Sequence, residues 1–251
     1  MRICLAQYAP GLDPAENRIA LTRHVATDVD LVVLPEGAAR DFGTPGSPCA
    51  YAETLDGPFV SSLVALASRG ATVVAGMFEK SDDASRPYNT VVAVNKDGVV
   101  ASYRKIHLYD SFGYRESDVL LPGSVDQRPI VEVVGTRVGL AICYDLRFPE
   151  LMRPMATEVD LMVLPAAWVA GPRKVGHWRT LLAARAIENV CYVAGVDQPG
   201  PRYAGNSLLV DPRGEIVAEL GESEGSVRAE VDPALVTQAR TENPSLDNRR
   251  L

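Results

Sequence analysis

Short, wholly apolar runs alternate with stretches of helical periodicity along the chain. Runs such as residues 31–34 and 161–164 contain no polar residue, which is typical of strands buried on both faces. Apolar residues spaced three or four positions apart instead indicate amphipathic helices. The pattern predicts strands at 2–7, 30–34, 71–78, 90–94, 99–103, 138–142, 158–165 and 190–195, helices at 17–27, 59–68 and 180–188, and a helix opening at Pro149. Clusters of Gly, Pro, Asp and Ser predict a loop at 38–50, a hairpin turn at 95–98 and an irregular segment at 106–124.

The order of these elements repeats in the second half of the chain. Residues 28–35 reappear almost residue for residue at 158–165, and residues 2–6 resemble 137–141. Residues 71–76 likewise match 190–195, and 89–98 match 206–214, which is one residue shorter. A period of over 100 residues is too long for a solenoid, so the repeat indicates two similar α/β halves around a pseudo-twofold axis.

Each half offers a sheet with helices on one face. Two such sheets stacked face to face, with the helices outside, form a four-layer α-β-β-α sandwich. No linker separates the halves, so we predict one α/β domain over residues 1–251.

Composition and charge exclude some classes of partner. The chain has 251 residues, 47 % hydrophobic and 23 % charged, as in ordinary globular proteins. Its net charge of −7 argues against a nucleic-acid or anionic membrane partner, and no signal peptide or membrane span is recognisable. The four cysteines lie far apart without a CxxC pair, so we expect no zinc site and no disulfide framework. A reducing, cytoplasmic location fits this cysteine usage.

Cys143 lies between the predicted strand at 138–142 and the helix that opens at Pro149. Unpaired N–H groups and the positive dipole end at a helix N-terminus favour a thiolate over a thiol. Junctions of this kind are where α/β folds place nucleophiles, which makes Cys143 a candidate nucleophile. The alternative is an inert buried cysteine.

The two halves differ in their chemistry where they match in their pattern. A Leu-Pro dipeptide ends the matching strands, followed by Glu36 in the first half and by Ala166 in the second. Lys105 follows the strand at 99–103, whose second copy ends near Gly221 without a cation. Because the carboxyl ends of strands converge in such folds, Glu36 and Cys143 could share one crevice. The alternatives are a solvated loop acid and a surface lysine.

Other cysteine chemistries fit the spacing less well. A tyrosine-phosphatase loop places its arginine further from the cysteine than Arg147 lies from Cys143. A papain-like pair would need His177, the only histidine downstream, at a predicted helix start where histidine usually caps or packs. Spatial adjacency cannot be read from sequence, so a Cys143–His177 pair stays an alternative.

Three motifs in order resemble the nitrilase superfamily of carbon–nitrogen hydrolases: Leu34-Pro35-Glu36, Tyr103-Arg104-Lys105-Ile106-His107-Leu108 and Cys143-Tyr144-Asp145-Leu146-Arg147-Phe148-Pro149-Glu150. The resemblance covers essentially the whole chain, as far as residues 184–189. It implies the same α-β-β-α sandwich, usually dimerised, and therefore a homodimer or higher homo-oligomer. It also implies a catalytic triad of Glu36, Lys105 and Cys143, a second glutamate at Glu116, and neither a metal nor an organic cofactor.

The reaction that the resemblance implies is hydrolysis of a small carboxamide through a cysteine acyl-enzyme. Glu36 would carry the proton, Lys105 and the Tyr144 N–H would face the oxyanion, and Glu116 would hold Lys105. The residues after Cys143 lack the Trp-Glu of nitrilases and the Asn-Asp-Arg-Arg of N-carbamoyl amino acid hydrolases. They resemble the amidase branch that includes ω-amidase and deaminated-glutathione amidase. A nitrile or N-carbamoyl hydrolase, or a non-catalytic binding or redox-responsive member, remains open, although intact Glu36 and Lys105 disfavour the last.

Basic residues cluster after the second Leu-Pro strand end, at Arg173, Lys174 and His177, and Arg147 lies near the nucleophile. In a chain of net charge −7 such a rim predicts an amide substrate that carries a carboxylate. The alternative is ordinary surface charge, with Arg147 in a structural ion pair. We expect the segment 106–124 to wall the pocket. The predicted substrate-binding residues are Tyr109, Tyr144, Trp168 and Arg173.

Overall fold

Two six-stranded sheets form the framework of the computed structural model, which describes residues 1–23, 25–26, 28–43 and 48–250. The strands are β1 (Arg2–Gln7), β2 (Leu31–Val33), β3 (Thr72–Glu79), β4 (Tyr88–Asn95), β5 (Gly98–Arg104), β6 (Asp110–Ser111), β7 (Tyr114–Arg115), β8 (Ile130–Val133), β9 (Thr136–Leu140), β10 (Leu161–Pro165), β11 (Tyr192–Val196), β12 (Leu208–Val210), β13 (Ile216–Glu219) and β14 (Gly225–Glu230). The helices are α1 (Pro14–Ala20), α2 (Pro58–Ala67), α3 (Pro149–Met152), α4 (Lys174–Asn189) and α5 (Pro233–Glu242).

The two sheets have the same internal order. The first runs β14-β1-β2-β3-β4-β5 and the second β8-β9-β10-β11-β12-β13, so that β1 to β5 correspond to β9 to β13. Three strands are parallel at the centre of each sheet, β1 to β3 and β9 to β11. A hydrogen bond from a backbone N–H to a carboxylate is also repeated. Arg2 N donates to Asp30 at 2.7 Å, and Arg137 N donates to Asp160 at 2.9 Å. The repeat predicted from sequence is confirmed.

Residues of the first sheet alternate between two cores, as the period of a strand requires. Ile3, Leu5 and Val33 face the second sheet and join its apolar cluster. Cys4 and Val32 point the other way and pack in the cluster of α2. The predicted four-layer sandwich therefore rests on strands that are buried on both faces.

The outer helices are held by large side chains against small ones. Helix α2 buries Phe59 and Leu63 on the first sheet. Helix α4 buries Trp178 on the second sheet, opposite Gly195, where an added Cβ would lie 2.4 Å from the indole. Glycine is therefore required at this crossing.

The helix predicted at 17–27 is wrong in its bounds. Helix α1 begins at Pro14, because Asp13 caps it with bonds from Ala15 N and Glu16 N, and it ends at Ala20. The apolar spacing predicted the wrong bounds because Ile19, counted as a core position, is 73 % exposed. The polar side chain of Asn17 is buried instead, and its amide donates to the backbone carbonyls of Gly11 and Ala39. His24 and Thr27 of the predicted range lie outside the described residues.

The predicted loops contain some local structure. Within 38–50, a short 3₁₀ helix begins at Pro48, and residues 44–47 lie outside the described part. Within 106–124, β6 and β7 form a small hairpin and Glu116–Asp118 a 3₁₀ turn. Helix α4 begins six residues before the predicted 180–188, at Lys174.

Candidate active site

Glu36 lies in the turn that follows β2, folded across the neighbouring strand β3. The close approach depends on Gly76, where an added Cβ would lie 2.7 Å from Glu36 Cα and 2.7 Å from Gly37 N. The Gln198 amide donates to the Glu36 backbone carbonyl at 2.9 Å, so both sheets fix this turn. The side chain is 1 % exposed and points between the strand ends.

Lys105 directly follows β5 and lies between two carboxylates. Its Nζ donates to Glu36 Oε1 at 2.9 Å and to Glu116 Oε2 at 2.9 Å, and all three side chains are buried. The predicted contact between Glu116 and Lys105 is confirmed. Burial alone would lower the pKa of Lys105, but Glu116 and Glu36 together raise it well above its usual value. Lys105 is therefore a fixed positive charge.

Neutral donors complete the surroundings of the two carboxylates. The Asn89 amide donates to Glu36 Oε1 at 2.6 Å and to Glu116 Oε1 at 3.1 Å. The backbone N–H of Ala167, from the second half, donates to Glu36 Oε2 at 2.7 Å. The Tyr109 N–H donates to Glu116 Oε2 at 2.6 Å. Sequence reasoning missed Asn89, although its match to Asn206 in the internal repeat marks the position.

Cys143 begins a 3₁₀ turn beyond β9, with a left-handed φ of 45°. Burial and the Glu36 carboxylate raise the pKa of the Cys143 thiol well above its usual value, against the opposing effects of Lys105 and the Ala167 N–H. This direction is opposite to the one expected from a helix N-terminus. A thiol beside an acceptor carboxylate needs that carboxylate as a base before it can attack.

A cavity of about 350 Å³ opens from Cys143 to the surface. Glu36, Lys105 and Glu116 lie at its inner end with the cysteine. The rings of Tyr109 and Tyr144 meet edge to face at 5.0 Å, and Trp168 lies beside them. The hairpin β6–β7 brings Phe112 and Tyr114 to the wall, as the interpretation of 106–124 predicts. Tyr109, Tyr144 and Trp168 are thus all brought to the site.

The predicted cationic rim is only partly present. Arg147 and Lys174 line the cavity, whereas Arg173 and His177 are exposed and do not. Arg173 precedes α4 in a left-handed conformation, and the next residue, Lys174, lines the cavity. Exposed and away from the cavity, His177 does not lie where a papain-like base would be needed.

Arg147 and Lys174, the two residues of the predicted rim that line the cavity, both lie against aromatic faces. The Arg147 guanidinium lies 4.7 Å from the Trp168 ring centroid, and Lys174 Nζ lies 4.0 Å from that of Phe112. Arg147 Nη2 is buried without a hydrogen-bond partner among the described residues. Burial and the neighbouring Arg147 lower the pKa of Lys174. Neither cation forms an ion pair within the described part of the chain.

Asp197 is a further buried acid that sequence reasoning missed. Its Oδ1 accepts from Trp168 N at 2.7 Å and Gln198 N at 2.9 Å, which holds the segment that follows β10. Burial raises the pKa of Asp197 well above its usual value. Nothing in its local sequence distinguishes it from a surface aspartate.

The described residues include neither a metal-binding cluster nor a helix that could span a membrane. No group of three His, Cys, Asp or Glu side chains could hold a metal ion there. None of the helices in that part of the chain has both the length and the apolar character needed to cross a bilayer.

A buried thiol, a fixed ammonium and two carboxylates thus meet at one cavity of an α-β-β-α sandwich. The carbon-nitrogen hydrolase family model matches residues 2–241, and the chain belongs to this family. It is 40 % identical over 225 residues to a deaminated glutathione amidase of Escherichia coli, covering 89 % of this chain and 86 % of that protein.

Solved structures agree in fold. A carbon–nitrogen hydrolase superfamily protein from Xanthomonas campestris, with an arsenic adduct in its active site, matches with a TM-score of 0.89 and 32 % identity, covering 100 % of this chain and 97 % of that one. An amidase from Nesterenkonia, with acrylamide added to its active-site cysteine, matches with a TM-score of 0.78 and 27 % identity, covering 96 % and 97 %. The chain is accordingly a carbon–nitrogen hydrolase that acts on amide C–N bonds.

Proposed function

We propose that this enzyme hydrolyses a short amide that carries a carboxylate, with deaminated glutathione as the leading substrate, through an acyl-enzyme on Cys143. The names of relatives from Escherichia coli and rat, both deaminated glutathione amidases, support this substrate class. The observation that carries it is the presence of Arg147 and Lys174, which form no ion pair with any described residue, in the same cavity as the thiol.

Acylation begins when Glu36 takes the thiol proton as the Cys143 sulfur attacks the amide carbonyl carbon. The carbonyl oxygen gains the negative charge, faced by the Lys105 ammonium and the Tyr144 N–H. Each such donor contributes about 3–4 kcal/mol in comparable sites. Glu36 returns its proton to the leaving nitrogen, the C–N bond breaks, and a thioester with Cys143 remains.

Deacylation uses the same groups in reverse order. Glu36 takes a proton from water, the hydroxide attacks the thioester carbonyl, and the C–S bond breaks. The proton held by Glu36 returns to sulfur, which restores the thiol and releases a carboxylic acid. Glu116 holds Lys105 at its two oxygens throughout, so the cation does not follow Glu36 when its charge changes.

The far end of the substrate is bound at Arg147 and Lys174. A carboxylate there would accept a hydrogen bond from Arg147 Nη2, which has no partner among the described residues. It would also accept one from Lys174 Nζ, which donates to the Tyr109 hydroxyl at 3.4 Å and lies against the Phe112 ring. A hydrogen bond to a charged group contributes about 1.5–3 kcal/mol. That range corresponds to about 10- to 100-fold in kcat/KM per cation.

The test compares a carboxylate-bearing amide with its neutral isostere in three proteins. In the wild type we expect a preference of about 100-fold or more for the anionic amide. Lys174→Met should lose about 10-fold on that amide alone, whereas Arg173→Met, the matched control beside it, should change neither. Preference of the wild type for the neutral amide would overturn the carboxylate site and leave a plain aliphatic amidase.

The covalent step is tested separately by mass spectrometry of the intact protein. A brief incubation with the preferred amide should add one acyl group, located on the Cys143 peptide. The same panel includes a nitrile and an N-carbamoyl amino acid, and faster turnover of either would replace the amide assignment.

A further inference from the structure

Asp145 is a buried carboxylate that does not line the cavity, although it lies two residues after Cys143. Its Oδ2 accepts from the Tyr103 hydroxyl at 2.9 Å and from the Ile142 N–H at 3.0 Å. Its Oδ1 accepts from His107 twice, from the backbone N–H at 3.2 Å and from ring Nδ1 at 2.7 Å. Four hydrogen bonds therefore converge on one side chain.

The donors belong to the two segments that carry the reacting groups. Tyr103 and His107 stand two residues before and two residues after Lys105. Ile142 immediately precedes Cys143. The Asp145 carboxylate thus joins the end of β5, in one sheet, to the end of β9, in the other. No other described carboxylate bonds to both segments.

The backbone at Cys143 needs such support. Its φ of 45° is costly for a residue with a side chain, and conformations of this kind persist only where the surroundings over-determine them. The His107 ring is itself fixed, since it stacks on Phe148 with centroids 3.8 Å apart and planes 4° from parallel. Asp145 is therefore tied to rigid partners on both sides.

We propose that Asp145 is a positioning residue that sets the separation between the Cys143 sulfur and the Lys105 ammonium. This inference rests on the proposed roles of Cys143 and Lys105. A displacement of about 1 Å at a reacting group can cost on the order of 100-fold in rate. The Asp145→Asn substitution keeps the size of the side chain but replaces one acceptor oxygen by an NH₂ group. That group faces either the Tyr103 and Ile142 donors or the His107 donors, so the segment of Lys105 and the segment of Cys143 are no longer joined at that oxygen.

The experiment is a double-mutant cycle of Asp145→Asn with Lys105→Ala, read as kcat and KM separately. Asp145→Asn alone should lower kcat about 30- to 100-fold and change KM by less than about 3-fold. In the Lys105→Ala background, the same substitution should cost less than about 3-fold, because the ammonium it positions is gone.

Asp160→Asn is the matched control. Asp160 is also buried and accepts a backbone N–H at a strand end, from Arg137, but it lies at the opposite end of β9 from the cysteine. The Asp160→Asn variant should have a lower free energy of unfolding, while its kcat stays within about 2-fold of the wild type. Should Asp145→Asn fail to fold, Tyr103→Phe removes one of the four bonds and should show the same non-additivity at smaller size.

The possible failures are distinguishable. Equal losses from Asp145→Asn in both backgrounds would overturn the positioning role and leave a general effect on stability. An unchanged kcat in Asp145→Asn would overturn it as well. Turnover retained in Cys143→Ala or fully retained in Lys105→Ala would instead refute the proposed function, and with it the premise of the inference.

Discussion

Glu116 offers the sharpest test of the charge arrangement around Lys105. Replacing it by glutamine removes one negative charge and almost no volume. The carboxylate accepts from Lys105 Nζ at 3.2 and 2.9 Å, from the Asn89 amide at 3.1 Å and from the Tyr109 N–H at 2.6 Å. Glutamine has one acceptor oxygen, so in either orientation its NH₂ group meets donors.

The expected magnitude follows from these bonds. At least one buried neutral donor loses its acceptor, which costs about 1–3 kcal/mol, and one charge-assisted bond is lost, which costs about 1.5–3 kcal/mol. We therefore expect the free energy of unfolding to fall by about 4 kcal/mol. Without the Glu116 charge, Lys105 keeps only Glu36 as a carboxylate partner, so its ammonium is less firmly placed to face the oxyanion. We therefore expect kcat to fall about 100-fold, which corresponds to about 2.7 kcal/mol.

Glu79→Gln is the control that separates stability from activity. Glu79 is also buried and accepts from Thr90 at 2.8 Å and from Arg104 at 2.9 and 2.6 Å, but it does not line the cavity. Urea unfolding at pH 7 and steady-state kinetics on one amide give both quantities for each variant. The reasoning is refuted if both variants lose comparable stability and Glu116→Gln keeps kcat within about 3-fold of the wild type.

Three further substitutions give independent checks. Cys143→Ala should abolish turnover in steady-state assays with a melting temperature close to that of the wild type, while His177→Ala, exposed and outside the cavity, should stay within about 2-fold. Gly76→Ala should push the Glu36 turn away from β3. We expect it to lower the free energy of unfolding in urea by about 1–3 kcal/mol and kcat by at least about 10-fold. Gly176→Ala is the control and should change neither, because an added Cβ at Gly176 has no neighbouring atom within 4 Å. Burial raises the pKa of Cys191 from about 9 to about 12, so its thiol contributes stability that is complete below pH 9 and lost between pH 9 and 12. The stability difference between the wild type and Cys191→Ala should therefore shrink by about 1.4 kcal/mol from pH 7 to pH 10 in urea titrations, and a constant difference would contradict the cause.

Sequence reasoning succeeded where a local pattern decides the structure. The apolar runs at β2 and β10 could be recognised because strands buried on both faces tolerate no polar residue. Comparison of the two halves then isolated Glu36, since its counterpart Ala166 occupies the same strand end without a carboxylate. These local signals were sufficient for the sandwich and singled out Glu36, whereas Lys105 and Glu116 were assigned to the site through the family resemblance.

Tertiary contacts decided the rest. Asn17 is buried because its amide bonds to the backbone of Gly11 and Ala39, and helical periodicity does not predict such contacts. Lys174 lines the cavity and Arg173 does not, which the row of basic residues alone does not reveal. Asn89 had a signal in its match to Asn206, which sequence reasoning missed. Asp145 bonds to Tyr103 and His107, which lie in a distant segment of the chain, so its local sequence does not reveal these contacts. The single domain over 1–251 and the homo-oligomer remain predictions.

The matching ends of β2 and β10 contribute different groups to the proposed reaction. In the proposed mechanism the first copy supplies the proton carrier, Glu36. The second copy has no acid there and supplies the Ala167 N–H, which donates to Glu36 Oε2 at 2.7 Å. Neither half holds a working centre by itself, because the ammonium comes from one and the sulfur from the other. The rate of amide hydrolysis should therefore report whether the two sheets are packed against each other. In a titration with denaturant, catalysis should vanish at the point where the interface between the sheets opens, even while each sheet keeps its own hydrogen bonds.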